Sequence, residues 1–425
     1  MLSMNRLMYS DYSAQKDRVI LHCDLNNYFA SVELLEKPEL REKPVIVGGS
    51  TENRHGIVLA KNYTAKAFGI MTGESVSNAL GKCPSLTILE PHYDKYLSYS
   101  RAVREIYKRY TDLVEAMGID ECFLDVTGSG YLFGSGFRIA NEIRESVKCE
   151  TGLTISAGVS FNKIFAKLGS DMKKPDAVTV ISRDDFQEKI WNLPANEMLG
   201  VGMKTYKKLW YRGIRTIGDI ANCDPDRMQT YLGKMGQVLW VYANGYENSP
   251  VMQENERCPI KSIGHGTTTT ADLDTEREVF DTIIELSEEI GTKLRKNRLK
   301  SCGVAVGIRE NDLSVREYQM KFAHPTQLTR DVARGAMKVF RDKHVWRCPI
   351  RSVTVRAIYI SAEDEPEQLT IFDEYAWHGE LLRLEKTVDA IREQYGDHSI
   401  TSGAYLRNKK LNSQRIGFRD HSEIY

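Results

Sequence analysis

The first half of the chain alternates short apolar, β-branched runs with stretches of helical spacing. Residues 18–23 (RVILHC), 44–47 (PVIV), 56–60 (GIVLA), 86–89, 113–117, 122–126, 153–159 and 177–181 predict strands, because short runs of this kind bounded by polar or glycine positions suit a buried pleat. Between them apolar residues recur at helical intervals, which predicts helices over 28–35, 63–68, 75–81, 93–110, 137–149 and 162–172. Strands and helices in alternation imply a mixed α/β or α+β sheet domain. From Ile190 to about Asn248 the strand signals vanish, and short helices separated by glycines suggest a small all-α module. Residues 254–259 are polar and end in Pro259, the pattern of a linker. A second α/β pattern then spans 262–361, with helices expected over 276–298 and 327–343 and strands over 302–308 and 350–360. Beyond it lie an acidic stretch, one helical pattern over 379–395 and a basic end.

Composition narrows the class. At roughly 150 residues per domain, 425 residues imply about three domains, and 41% apolar with 27% charged residues suits a globular chain. No run approaches the roughly 18 apolar residues of a spanning helix, and MLSMNRLMYSDYSAQKDR lacks the apolar centre of a signal peptide. The expectation is a cytoplasmic protein with no membrane partner. Eight cysteines, none in a C-x-x-C pair, argue for reduced thiols rather than a zinc knuckle or a disulfide frame.

Charge looks uninformative at first, with 58 basic residues against 58 acidic. The balance hides a segregation. Residues 291–356 hold sixteen Lys and Arg against five acids, a local excess of +11, whereas 363–397 hold three against eleven, a local −8. A basic block of that size suits a phosphate-facing surface; a solvated charged face is the alternative.

Three acids suggest chemistry. Asp24 follows the strand VILHC, and Asp120 with Glu121 sits in a turn between two apolar strands. If those strands are neighbours, the acids converge, and their repulsion demands cations. Mg²⁺ is the natural choice, since it takes hard oxygen ligands and shares them with phosphates. The plainer alternatives are a helix cap at Asp24 and a turn role for Asp120.

CDLNNYFASVE (Cys23 to Glu33) and GIDECFLDVT (Gly118 to Thr127), together with AKNYTAKAFGI (Ala60 to Ile70) and FNKIFAKLGSDMKKPD (Phe161 to Asp176), resemble the four signatures of the Y-family, the translesion DNA polymerases, in family order. The resemblance reaches to about residue 372. It implies an α+β multidomain fold: a right-hand polymerase with a ferredoxin-like palm (1–27 and 92–182), small fingers (28–91), a helical thumb with a helix-hairpin-helix (183–248), a linker (249–261), an α/β little finger (262–361) and a C-terminal tail (362–425). The partners it implies are primer-template DNA and dNTPs. The implied cofactor is Mg²⁺, two ions, with Asp24 and Asp120 holding both, Glu121 completing the catalytic-metal site, and the Leu25 carbonyl as a backbone ligand.

The same resemblance places the nucleotide triphosphate against the backbone of Tyr28 and Phe29 and the side chains of Tyr63, Lys66 and Lys174. Phe29 matches the aromatic steric gate against a 2′-hydroxyl, though its spacing equally suits a helix core. Ile57 and Leu59 match the roof over the nascent base pair. Lys66 departs from the family's more usual arginine, exchanging a bidentate fork for a point charge. MLGVGMKTYKKLWYRGI (Met198 to Ile214) has the helix, G-V-G turn and helix of a sequence-independent DNA grip, carried by Gly200, Val201, Gly202, Lys204 and Lys207. Gln368, Leu369, Ile371 and Phe372 of QLTIF resemble the peptide by which bacterial polymerases dock on the sliding clamp (beta subunit); a short edge strand is the alternative. A rival reading of the whole chain is a clamp-bound repair scaffold of the same family with weak catalysis.

Overall fold

A computed structural model describes residues 18–49, 56–253, 259–366, 375–397, 399–404 and 410. Within it the strand ILHCDL, β1 (Ile20–Leu25), organises the first unit. All six residues are buried, and period-two alternation sends Leu21, Cys23 and Leu25 into the main core. Ile20, His22 and Asp24 face the other side. α1 (Tyr28–Leu35) follows, then β2 (Val45–Gly48), β3 (Val58–Lys61), α2 (Tyr63–Ala67) and β4 (Thr87–Leu89). These strands make a small sheet in the order β3-β2-β4, with its own core around Ile46, Val58, Ile70 and Val76.

The chain then returns through α3 (Tyr93–Tyr107), β5 (Val114–Ala116), β6 (Glu121–Asp125), α4 (Gly136–Thr151), β7 (Ile155–Ser160), α5 (Lys163–Met172) and β8 (Val178–Ile181). The five-stranded sheet runs β5-β6-β1-β7-β8, with β1 antiparallel to both β6 and β7 and β7 parallel to β8. α3 and α4 cover one face through Tyr96, Ile106, Ile139 and Ile143. α5 lies on the other, where Gly158 of β7 makes room for it: a Cβ there would meet the Ala166 carbonyl oxygen at 1.8 Å.

A run of short helices including α6 (Met203–Trp210) builds a separate core on Phe161, Phe165 and Leu168. The chain that leaves it stays bound to the first unit. Val251 is buried against Ile20, Phe123 and Ala166, and the Met252 amide donates to Glu115 at 2.8 Å. The expected linker therefore begins docked, because an apolar anchor and a charged acceptor hold its first residues.

The second unit has four antiparallel strands in the order β11-β10-β12-β9: β9 (Ser262–Leu273), β10 (Leu299–Glu310), β11 (Val315–Thr326) and β12 (Ile350–Ala362). α7 (Glu276–Lys296), started by a Thr275/Glu278 capping box, and α8 (Thr329–Lys343) pack on one face. β9 and β11 were not expected from the sequence. The segment 375–395 forms α9 (Tyr375–Tyr395), which docks on α7: Arg295, with a side chain only 5% exposed, binds Asp389 and Glu385, and Arg392 binds Glu288 at 2.8 Å.

Candidate active site

Two expectations about the acids change with the structure in hand. Asp24 lies inside β1 rather than after it, and Glu121 opens β6 rather than sitting in the turn. The reason is the ladder: Asp24 and Glu121 are register partners, and the Leu25 amide donates to the Asp120 carbonyl at 3.0 Å, which extends pairing past the apolar residues. Side chains directly opposite one another on neighbouring strands share a face. That face is the α5 side, so the two carboxylates stand beside that helix's lysines.

The Lys167 ammonium binds Glu121 at 2.6 Å, and Lys174, just beyond α5, binds Asp24 at 3.0 Å and Asp171 at 2.9 Å. Burial pushes Asp24 up to about 7 although Lys174 opposes the shift, and the neighbouring Glu121 charge adds to it. Burial and Glu121 likewise raise Asp120. Burial would raise Glu121 too, but hydrogen bonds from His22 and Lys167 outweigh it and hold the carboxyl down at about 2. Asp24 is thus a buried carboxylate raised despite its lysine partner, and Asp120 a half-buried one raised beside Glu121. Among the described residues no three His, Cys, Asp or Glu side chains stand as a finished ligand cluster, and the two paired acids are instead met by protein ammonium groups.

Two residues that shape the site, His22 and Asn26, carry no chemical signal of their own in the sequence. His22, fully buried, places Nδ1 2.8 Å from the Ser170 hydroxyl and Nε2 3.4 Å from Glu121. Asn26 pins the turn after β1: its amide nitrogen donates to Ser156 at 2.9 Å, and its carbonyl accepts from the Asp176 backbone at 2.9 Å. Asn27 then takes left-handed backbone (φ 49°), which asparagine tolerates, and starts α1 without a side-chain cap. The first amides of α1, at Tyr28 and Phe29, are left without intrahelical partners and are donors for an anion. Only an unbroken alternation or a motif comparison could have found His22; Asn26 is visible only as part of the motif.

Phe29 is half-buried, with its ring stacked on Tyr96 at 4.2 Å and 9°, so one face of the ring packs into the core. Tyr63 starts α2 behind an Asn62 cap that accepts from the Ala65 amide, and the Lys66 ammonium lies 5.8 Å from its ring. Burial raises the Tyr63 hydroxyl, Lys174 opposes and Asp24 reinforces, which puts all three in one electrostatic neighbourhood. Ile57, 46% exposed, and half-buried Leu59 flank buried Val58 on the outward side of β3.

The remaining expected sites lie elsewhere. Gly200 turns with φ 89°, Val201 is buried, and Gly202 precedes α6 with no side-chain cap, leaving its amides beside exposed Lys204 and Lys207. In the second unit the sheet face away from α7 and α8 carries a shallow groove lined by Gly264, Gly266, Thr268, Thr354 and Arg356. Gln368, Leu369, Ile371 and Phe372 lie outside the described residues.

Residues 23–171 match the impB/mucB/samB family, and residues 260–371 match the C-terminal domain of that family. A DNA polymerase IV of Acetivibrio thermocellus is 47% identical over 395 residues, covering 93% of this chain and 99% of its own. One from Clostridium acetobutylicum is 34% identical over 402 residues, covering 92% and 99%. Among solved structures, a Y-family DNA polymerase chimera superposes with a TM-score of 0.71 at 23% identity, over 81% of this chain and 99% of that one, a likeness of fold.

The chain belongs to the impB/mucB/samB family of Y-family translesion DNA polymerases. It is a DNA-directed DNA polymerase with the α+β right-hand fold of that family, a metal-dependent nucleotidyltransferase acting on DNA and deoxynucleotides. Among the described residues no helix is long and apolar enough to cross a membrane.

Proposed function

We propose that this polymerase extends primers past lesions by two-metal nucleotidyl transfer from a dNTP to the primer 3′-hydroxyl, with Asp24, Asp120 and Glu121 as the metal site. The observation that carries the reading is the cross-strand pairing of Asp24 with Glu121 beside Asp120, at a place where lysine ammonium groups meet the acids. The donor set fits a hard cation: three carboxylates, two of them raised by burial and by the charge of the neighbouring Glu121. Asp24 and Asp120 would hold both ions, with Glu121 and the Leu25 carbonyl completing the set. Mg²⁺ bound there supplies the charge that acidifies the primer hydroxyl and stabilises the departing pyrophosphate.

The chain's own residues supply binding and orientation. The free amides of Tyr28 and Phe29, with Tyr63, Lys66 and Lys174, receive the triphosphate, and Lys174 exchanges its contact with Asp24 for a phosphate oxygen. The Phe29 ring excludes a 2′-hydroxyl. Ile57 and Leu59 roof the base pair, and we include low fidelity and the absence of proofreading in the reading. In this reading residues 1–27 and 92–182 serve as palm, 28–91 as fingers, 183–248 as thumb and 262–361 as little finger. The Gly200–Lys207 turn and the basic second unit hold phosphates without reading bases. QLTIF tethers the enzyme to a sliding clamp, and the cytoplasm is the proposed location.

Converting both Asp120 and Glu121 to Ala tests the site. Mg²⁺-dependent primer extension should vanish while duplex affinity stays, because the grip lies in other elements. Extension near the wild-type rate would overturn the site.

A further inference from the structure

The gate phenylalanine has a constructed back wall. Phe29 lies flat on Tyr96 at 4.2 Å, and Tyr93 meets both rings edge-on, at 5.8 Å from Phe29 and 5.7 Å from Tyr96. Tyr96 is fixed at both ends. Its carbonyl accepts from the Tyr28 hydroxyl, and its own hydroxyl donates to Glu33 Oε1 at 2.6 Å. Glu33 is 2% exposed and also accepts from His92 Nδ1 at 2.9 Å. Phe29 and Glu33 are four residues apart on α1, so they share one helix face, and the Tyr96 ring spans the distance between them.

We infer that Glu33 is a positioning residue for sugar selection: it anchors the Tyr96 ring, and that ring denies Phe29 the room to retreat from a 2′-hydroxyl. The inference rests on reading Phe29 as the sugar gate. A gate excludes one oxygen atom only if it cannot yield by a fraction of its own thickness. A close-packed stack resists such movement because its interior atoms have no void to enter. Without that acceptor the buried Tyr96 hydroxyl keeps only its His92 backbone contact and has nowhere to donate, so the ring must shift or draw in water. Phe29 then gains the freedom to move aside for a ribose.

The measurement is the ratio of kcat/KM for a dNTP to that for the matching rNTP. Both substrates are read on the same enzyme, so a loss of folded protein cancels from the ratio. Glu33→Ala and Tyr96→Phe, which remove the acceptor and the donor in turn, should each lower the ratio by about three- to tenfold, the worth of one hydrogen bond. Glu33→Gln keeps an acceptor oxygen and should stay within about twofold of wild type. Phe29→Ala, the control for the gate itself, should lower the ratio by about 10- to 200-fold. A fall in Phe29→Ala with unchanged ratios in both Glu33→Ala and Tyr96→Phe would overturn the positioning role and leave the gate standing. No fall in Phe29→Ala would overturn both.

Discussion

Gly158→Ala is a severe test of how the site is supported, because the added methyl has nowhere to go. A Cβ at Gly158 would stand 1.8 Å from the Ala166 carbonyl oxygen and 2.6 Å from the Ser170 amide nitrogen, both backbone atoms of α5. Against the 3.0 Å that marks the closest approach of real Cβ atoms, the helix must retreat by about 1.2 Å, an overpacking that costs about 1–3 kcal/mol. The same retreat stretches the 2.8 Å contact between Ser170 and His22 beyond hydrogen-bonding range, at about 1 kcal/mol more. Together about 2–4 kcal/mol should lower the melting temperature of the first unit by roughly 5–15 °C, at about 2–4 °C per kcal/mol for a unit of this size.

Catalysis should fall as well, since α5 carries Lys167 and Ser170, the supports of Glu121 and His22. Differential scanning calorimetry with primer extension at a temperature where the variant is folded separates the two effects. Gly81→Ala, where a Cβ meets nothing within 4 Å, serves as the control. If Gly158→Ala melts within about 2 °C of wild type and extends primers normally, α5 does not stand where the structure puts it, and the support argument fails.

Three further outcomes are expected. Lys66→Ala should raise KM for the nucleotide by about tenfold or more with a smaller change in kcat, while Lys66→Arg stays active and binds nucleotide at least as tightly; unchanged nucleotide kinetics in Lys66→Ala would place the residue outside the pocket. Arg295→Ala leaves Asp389 and Glu385 facing each other without their cation, and because both keep some solvent contact the cost should fall near about 3 kcal/mol. Limited proteolysis should then cut within or before 375–395 faster than in wild type, and equal protection would refute the docking. Changing Leu369 and Phe372 to Ala should abolish clamp-stimulated synthesis but preserve clamp-free extension, since burying apolar side chains at about 1.5–3 kcal/mol each is the main attraction a short peptide offers; full clamp response in that variant would move the tether elsewhere.

What could be read from the sequence depended on how local its physical cause is. The helix over 162–172 was legible because its apolar stripe, Ile164, Phe165 and Leu168, sits within one segment, and its Asn162 cap accepts from the Phe165 amide three residues on. β11 carries a weaker signal: Tyr318, Met320 and Phe322 alternate with Glu317, Gln319 and Lys321, but the charged side chains and Pro325 disguise an edge strand. β9, as SIGHGTTTTADL, offers few apolar residues, and only pairing with β12 makes it a strand. The acids were legible as a motif. The ammonium groups opposite them were not, because Lys167 meets Glu121 across 46 residues and Lys174 meets Asp24 only through the packing of α5 on β1.

The same reasoning explains why one six-residue strand serves both fold and site. In β1 the odd-numbered side chains, Leu21, Cys23 and Leu25, lie in the hydrophobic core with α3 and α4, while Asp24 and His22 point toward α5. A slip of one residue in its pairing would exchange the two sets, burying Asp24 among Ile106, Tyr107 and Ile139 and exposing core side chains to a charged cleft. The register is therefore fixed by the cost of burying a bare carboxylate as much as by apolar packing. Function constrains the strand in turn. Lys167 and Lys174 meet these acids through flexible side chains, so under the proposed function they could exchange Glu121 and Asp24 for phosphate oxygens as cations enter.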